Sequence, residues 1–261
     1  ASCHEKPVVG GSAGLYRNFW LAGSRDAGGA FFPATSAGNG SGVIRLYHHG
    51  DGEAARPAIP EGTDIFGQRN PIPFFGAGLM AELPDDVLLA NVDADDADGD
   101  GVSGRANYDR GFVGRFGRKA QTVSIEGFIR GPLFNHLGVS TDPLTDDQKA
   151  SLPVDSSGGD TVAWFGRRLQ RHAQVAAPAA PLVDDDGVPD PELSTADLFD
   201  LVSFAMLMAA PQLEELSEQG VAGRDVFDRL ACGACHVPRL EGPRGPIPLY
   251  SDLLLHDMGE D

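Results

Sequence analysis

Apolar residues recur at three- to four-residue spacing in only a few stretches of this chain, and each of these predicts a helix. Gly223, Val226, Phe227 and Leu230 form one such stripe, running directly into Cys232. Ser194 stands before another as an N-cap, with Asp197 three residues later in capping-box spacing and an apolar run to Met208 behind it. Shorter helical stretches are expected at Pro84–Ala90 and Phe128–His136, and a longer one at Thr161–Gln174. Val43 to His49 alternates and predicts a short strand. The segment from His4 to about Gly42 is rich in Gly, Ala and Ser and is weakly patterned. Asp142–Gly159 is polar with Pro and Gly, a plausible boundary, and Pro178–Pro191 reads as an exposed loop.

The chemistry is densest where the first helix ends. Cys232-Gly233-Ala234-Cys235-His236 is a complete C-x-x-C-H, the attachment signature of a c-type haem. Two thiols one turn apart can each bond a porphyrin vinyl group, and the adjoining histidine can ligate the iron. A redox C-x-x-C pair would not need that histidine, and a zinc site needs more thiols than three cysteines can supply. Ala1-Ser2-Cys3-His4 reads as the end of a second such motif whose first cysteine lies upstream, which implies a fragment truncated at this end and, from its abrupt stop, at the other. Cys3, Cys232 and Cys235 are thus cofactor-binding candidates, and His4 and His236 the proximal iron ligands. His256 and Met258 follow the second motif closely and are alternative sixth ligands to its iron. A thioether ligand there would raise the potential relative to a second histidine.

Other candidates are less sharply marked. Glu82 stands in an otherwise apolar run, a setting that would raise a carboxyl's pKa and suit it to carrying a proton. From Asp96, the chain places Asp98 and Asp100 at the third and fifth positions of a calcium loop over 96–107, with Gly101 at the sixth and the Val102 carbonyl at the seventh. The twelfth position is Asn107 rather than Glu. Arg115, with Arg118 and Lys119, forms a basic cluster in an acidic protein, and Arg115 and Lys119 are candidates for binding haem propionates. His48, His49 and His136 have no partner legible in the sequence, and Tyr16, Trp20, Met80, Met206 and Met208 read as core more readily than as ligands.

A net charge of −18 argues against nucleic acid or an anionic membrane as partner and favours solubility and a partner with a basic docking face. No run of eighteen apolar residues predicts a membrane span. With 34 Gly and 19 Pro, long connections are expected. The fold expected is therefore mainly α, with little β and two cytochrome-c-like lobes: residues 1–145, including the calcium-type loop, and 146–261.

Several stretches together resemble the bacterial di-haem oxidoreductase family, thiol-oxidoreductase-like, which is related in layout to di-haem cytochrome c peroxidases. They are Ser2-Cys3-His4 with Pro7 and Gly10-Gly11, Phe75-Gly76-Ala77-Gly78-Leu79 with Glu82, and Asp98 to Arg105. Gly114-Arg115-Phe116-Gly117 with Lys119-Ala120, Cys232 to His236 with Pro238, and Tyr250 to Gly259 complete the set, in the family's order. Arg118 and His136-Leu137 depart from the family's pattern as expected here. The resemblance implies two haem c groups and reduction of a small oxidant such as peroxide at one open haem; covalent haem attachment implies export to the periplasm, and the loop over 96–107 a bound Ca2+. Electrons would come from a small redox protein or other donor. By that analogy the haem at His4 is the reactive one, with Glu82 as its acid–base group, and the haem at His236 relays electrons. A di-haem carrier without catalysis is the alternative, and a calcium-stabilised module without haem a third.

Overall fold

The stretch that looks unpatterned in sequence carries the longest strand. Phe19–Arg25 pairs antiparallel with three others, Phe31–Pro33, Val43–Ile44 and Ile65–Arg69. Gly23 lies opposite Pro33, and a Cβ there would meet the Phe31 ring at 2.3 Å. The glycine that reads as a loop signal is thus a condition of the strand pairing. This computed structural model describes residues 3–14, 19–34, 41–45, 48–50, 53–55, 58–154 and 179–259, with 48–50 and 53–55 by backbone alone. Helix accounts for 27% and strand for 18%, with several small sheets, so the mainly α expectation does not hold. The physical reason is that period-two patterning is hidden where glycine and alanine occupy strand positions. The helix expected at 161–174 and the candidate Tyr16 lie outside the described residues.

The chain forms two compact units of discontinuous sequence. One comprises Ala1–Phe75, Glu126–Leu152 and Ala179–Val202. Beyond its four-stranded sheet, it contains the helix Ile125–Pro132, whose Arg130 is buried and donates to the Thr141 hydroxyl at 3.0 Å and carbonyl at 2.9 Å. Arg130 also donates to the Ala180 carbonyl at 2.7 Å, which fastens the Pro-rich loop. Glu126, one turn earlier, accepts from the Leu144 amide. Here the polar interior is satisfied by backbone groups, as burial requires. The helix Thr195–Leu207 begins as the sequence predicts, with the Ser194 hydroxyl accepting from the Asp197 amide at 3.1 Å.

The other unit comprises Gly76–Ile125, Pro153–Pro178 and Ser203–Asp261. Its core gathers Leu83, Leu88, Val113, Leu240 and Ile247, with Leu79, Val237 and Leu253 packed around them. Leu83 and Leu88 are almost wholly buried, and each contributes about 2 kcal/mol. Gly78 passes so close to the end of the helix Thr195–Leu207 that a Cβ would stand 2.1 Å from the Met206 carbonyl. Arg115 is fully buried in this unit, pairs with Asp85 and donates to the carbonyls of Ala81 and Leu83. Burial pulls its pKa down, and the Asp85 charge opposes that.

A buried pair broken on one side leaves the other charge without compensation. Arg115→Met is therefore expected to cost about 3–5 kcal/mol in chemical denaturation of the haem-loaded protein. Arg115→Met combined with Asp85→Leu should recover most of that loss; a single-variant cost below about 1 kcal/mol would contradict the assignment.

Candidate functional site

Ser217 opens the helix Glu218–Arg229 by accepting from the Gly220 amide at 3.1 Å. Glu218 in the first turn and Arg229 in the last suit the helix dipole. Ala231 then adopts a left-handed conformation (φ 54°), which ends the helix and starts the tight turn Cys232–Ala234. The His236 amide closes that turn on the Cys232 carbonyl at 2.9 Å. Cys232 and Cys235 are both free thiols. Burial pushes the Cys235 thiol pKa up, with Asp252 and Asp100 adding to it.

The imidazole of His236 engages the Tyr250 carbonyl through Nδ1 at 3.1 Å. His4 repeats the arrangement, with Nδ1 at 3.0 Å from the Gly11 carbonyl and its ring edge against Phe74 at 5.0 Å. Metal-ligating histidines commonly tie one ring nitrogen to a carbonyl, which fixes the tautomer and leaves Nε2 for the metal. The two thiols and these two oriented imidazoles thus fit covalently attached haem. Burial lowers the pKa of His4, and the hydrogen bond to Gly11 opposes that.

His256 differs. Its Nδ1 lies 2.9 Å from the Ser103 carbonyl and its Nε2 2.9 Å from Asp252 Oδ2, so neither nitrogen is left to meet an iron. Met258 is 87% exposed, so no packing holds it as an axial ligand.

Glu82 does not stand alone in an apolar setting. Arg244 donates Nε to Glu82 Oε2 and Nη2 to Oε1, both at 2.7 Å, and its own pKa is raised by that hydrogen bonding and by the carboxylate charge. The partner is 162 residues away, which is why sequence reasoning missed it. Leu83, beside Glu82, and Val237, beside His236, pack in the same apolar cluster. Glu82 thus belongs to the unit of His236, whereas sequence analysis assigned it to the haem at His4.

Arg115 cannot reach a propionate, because its guanidinium is spent inside the core. Lys119 is exposed. In the acidic loop, Asp93, Asp96 and Asp98 bring carboxylate oxygens within 4.8 Å of one another. Asp93 lies outside the register read from the sequence, and Asp100, whose Oδ1 accepts the Val102 amide at 2.8 Å, is not one of the three converging carboxylates. Val102 thus takes part through its N–H. The loop closes on itself where Asp93 and Gly104 exchange backbone hydrogen bonds of 3.0 and 2.8 Å. Gly104–Arg105 in turn pairs with Leu255–His256. Three convergent oxygens can take a hard cation.

In the sheet-bearing unit, the Phe19 ring meets His136 at a centroid distance of 4.7 Å. Burial pulls the His136 pKa down to about 4, with the charge of His4 adding to the effect. Of the remaining candidates, Trp20 packs edge-on against Phe66 and Met206 is core, while the side chains of His48 and His49 lie outside the described residues.

The family described as "Di-haem oxidoreductase, putative peroxidase" matches residues 50–261. Searches of curated proteins and of solved structures return no match. Among the described residues no helix is long and apolar enough to cross a membrane.

Calcium titration of the full chain should show one site, weakened about tenfold or more by Asp93→Asn or Asp96→Asn, the scale on which ligand charge tunes such loops. Asp100→Asn should change it least. An equal loss at Asp100 would restore the ligand set read from the sequence.

Proposed function

The chain belongs to the di-haem oxidoreductase family, and from that premise we propose that it reduces a small oxidant such as peroxide at one open haem, fed with electrons through the other. The open haem is the one attached at Cys232, Cys235 and His236. The observation carrying this reading is the apolar cluster that holds both Leu83, next to Glu82, and Val237, next to His236. It builds a proton-carrying carboxylate and a proximal histidine into one packed unit.

Haem, when bound, supplies an iron that takes up the oxidant and a second iron that passes single electrons. The chain supplies the rest. Tyr250 and Gly11 set the orientation of His236 and His4 through their carbonyls. Arg244 fixes the plane of the Glu82 carboxylate, and each oxygen keeps a second lone pair after accepting from the guanidinium. Glu82 can therefore accept a proton from one oxygen of peroxide and return it to the other, which already carries one hydrogen and leaves as water. The oxygen left behind needs two electrons and two further protons to become a second water. A hard cation held by Asp93, Asp96 and Asp98 is proposed as Ca2+, bracing the loop whose base pairs with the segment around His256. An exported location fits thioether attachment, and a donor protein with a basic face fits the net charge of −18.

In protein matured with both haems, Glu82→Gln is expected to lower peroxide turnover by about 10²–10⁴-fold with haem content unchanged. Turnover like that of the wild type would remove Glu82 from the mechanism. Ferric spectra should show one high-spin haem that binds cyanide. Two low-spin haems that refuse it would make the protein an electron carrier.

A further inference from the structure

The turn after the second attachment motif is pinned from inside. Tyr250 and Leu253 both adopt left-handed conformations, with φ 51° and 62°. Side chains rarely tolerate that backbone, and it persists only where the surrounding structure over-determines it. Asp252 lies between them and is 3% exposed. Its Oδ1 accepts the Leu254 amide at 2.9 Å, and its Oδ2 lies 2.9 Å from His256 Nε2. The Ser251 hydroxyl oxygen accepts the Leu253 amide at 3.1 Å. His256 is anchored in its turn, with Nδ1 donating to the Ser103 carbonyl at 2.9 Å and Leu255–His256 paired with Gly104–Arg105. A buried carboxylate is thus clamped between its own backbone and a fixed imidazole.

This turn presents the Tyr250 carbonyl, 3.1 Å from His236 Nδ1. The Tyr250 ring stands edge-on to Phe227, on the helix leading into the motif, at 5.8 Å. A hydrogen bond at Nδ1 makes the imidazole a stronger donor through its other nitrogen, the one left for iron. A stronger donor favours the ferric state and lowers the potential. That effect requires the carbonyl to stay where the turn places it.

We propose that Asp252 and His256 are positioning residues for the haem at His236: they hold the Tyr250 carbonyl on the His236 ring and so keep the potential of that haem low. The proposal rests on the reading that the Cys232–His236 motif carries the open haem. The Asp252 charge would also lower the potential, so position and charge have to be separated.

The test uses protein matured with both haems, counted per chain. Both potentials are followed by spectroelectrochemistry, and the ferrous iron–histidine stretch, visible for a five-coordinate haem, by resonance Raman. Asp252→Ala should raise one of the two potentials by the equivalent of about tenfold in the ferric–ferrous equilibrium, about 59 mV for one electron, and lower the stretching frequency. Asp252→Asn removes the same charge but still accepts from Leu254 and can donate to His256. It should keep the stretch and show only a minor part of the shift. Equal shifts in the two variants overturn the proposal, because charge alone would produce them, and so does a wild-type potential in Asp252→Ala. Should Asp252→Ala not accumulate with haem, His256→Phe is read instead. It leaves the Asp252 charge without its partner, which by charge alone would lower the potential, whereas a loosened turn raises it. A lowered or unchanged potential in His256→Phe overturns the proposal. A wild type without the iron–histidine stretch overturns the open haem at His236, and the potentials then decide the positioning role by themselves.

Discussion

Everything proposed for the haem-attachment unit depends on one apolar contact, the packing of Leu83 and Leu88 against Leu240 and Ile247. It joins a turn from the middle of the chain to the hairpin that follows the C-x-x-C-H motif. Through it, Glu82 and Arg244 come within hydrogen-bonding reach, although neither is itself part of the cluster. The buried Arg115 reinforces the same turn from within. It places two N–H bonds on the carbonyls of Ala81 and Leu83 and its charge on Asp85. A cation that sequence suggested for propionates is spent on holding a backbone turn in place, because only a paired charge can be buried at that depth.

The histidines sort themselves by their hydrogen bonds. His4 and His236 each give one nitrogen to a carbonyl and keep the other. His256 gives both, one to the loop at Ser103 and one to Asp252, and so acts as a rivet between the acidic loop and the C-terminal segment. His136 gives neither among the described residues. A ligand needs a spare lone pair as well as the right residue type, and that difference assigns the roles more sharply than sequence position does.

Negative charge is concentrated around the attachment motif. Asp100 and Asp252 both bear on the Cys235 thiol, and the carboxylates of Asp93, Asp96 and Asp98 converge in the same unit. Amides of Ala97 and Gly101 donate to Asp93 and Asp96, so backbone groups already offset part of that repulsion. A divalent cation would offset more, which gives the loop a structural role near the cofactor and explains why so much acid is tolerated there.

Local chemistry was legible in the sequence because it depends on residues within a turn of one another. The thiols and histidine of Cys232–His236, the Ser194 cap, and the presence of an acidic turn at 96–101 all follow from short spacing. What only the tertiary structure decided involves partners far apart in the chain. The sheet around Phe19–Arg25 requires strands up to Arg69, and its glycine and alanine positions hide the alternation that would announce it. Arg244 reaches Glu82 across 162 residues, Asp93 rather than Asp100 joins the converging carboxylates, and Arg115 turns inward. Residue types within a short window determine what chemistry is possible. Which groups remain free to perform it is decided by burial and by the hydrogen bonds that folding closes.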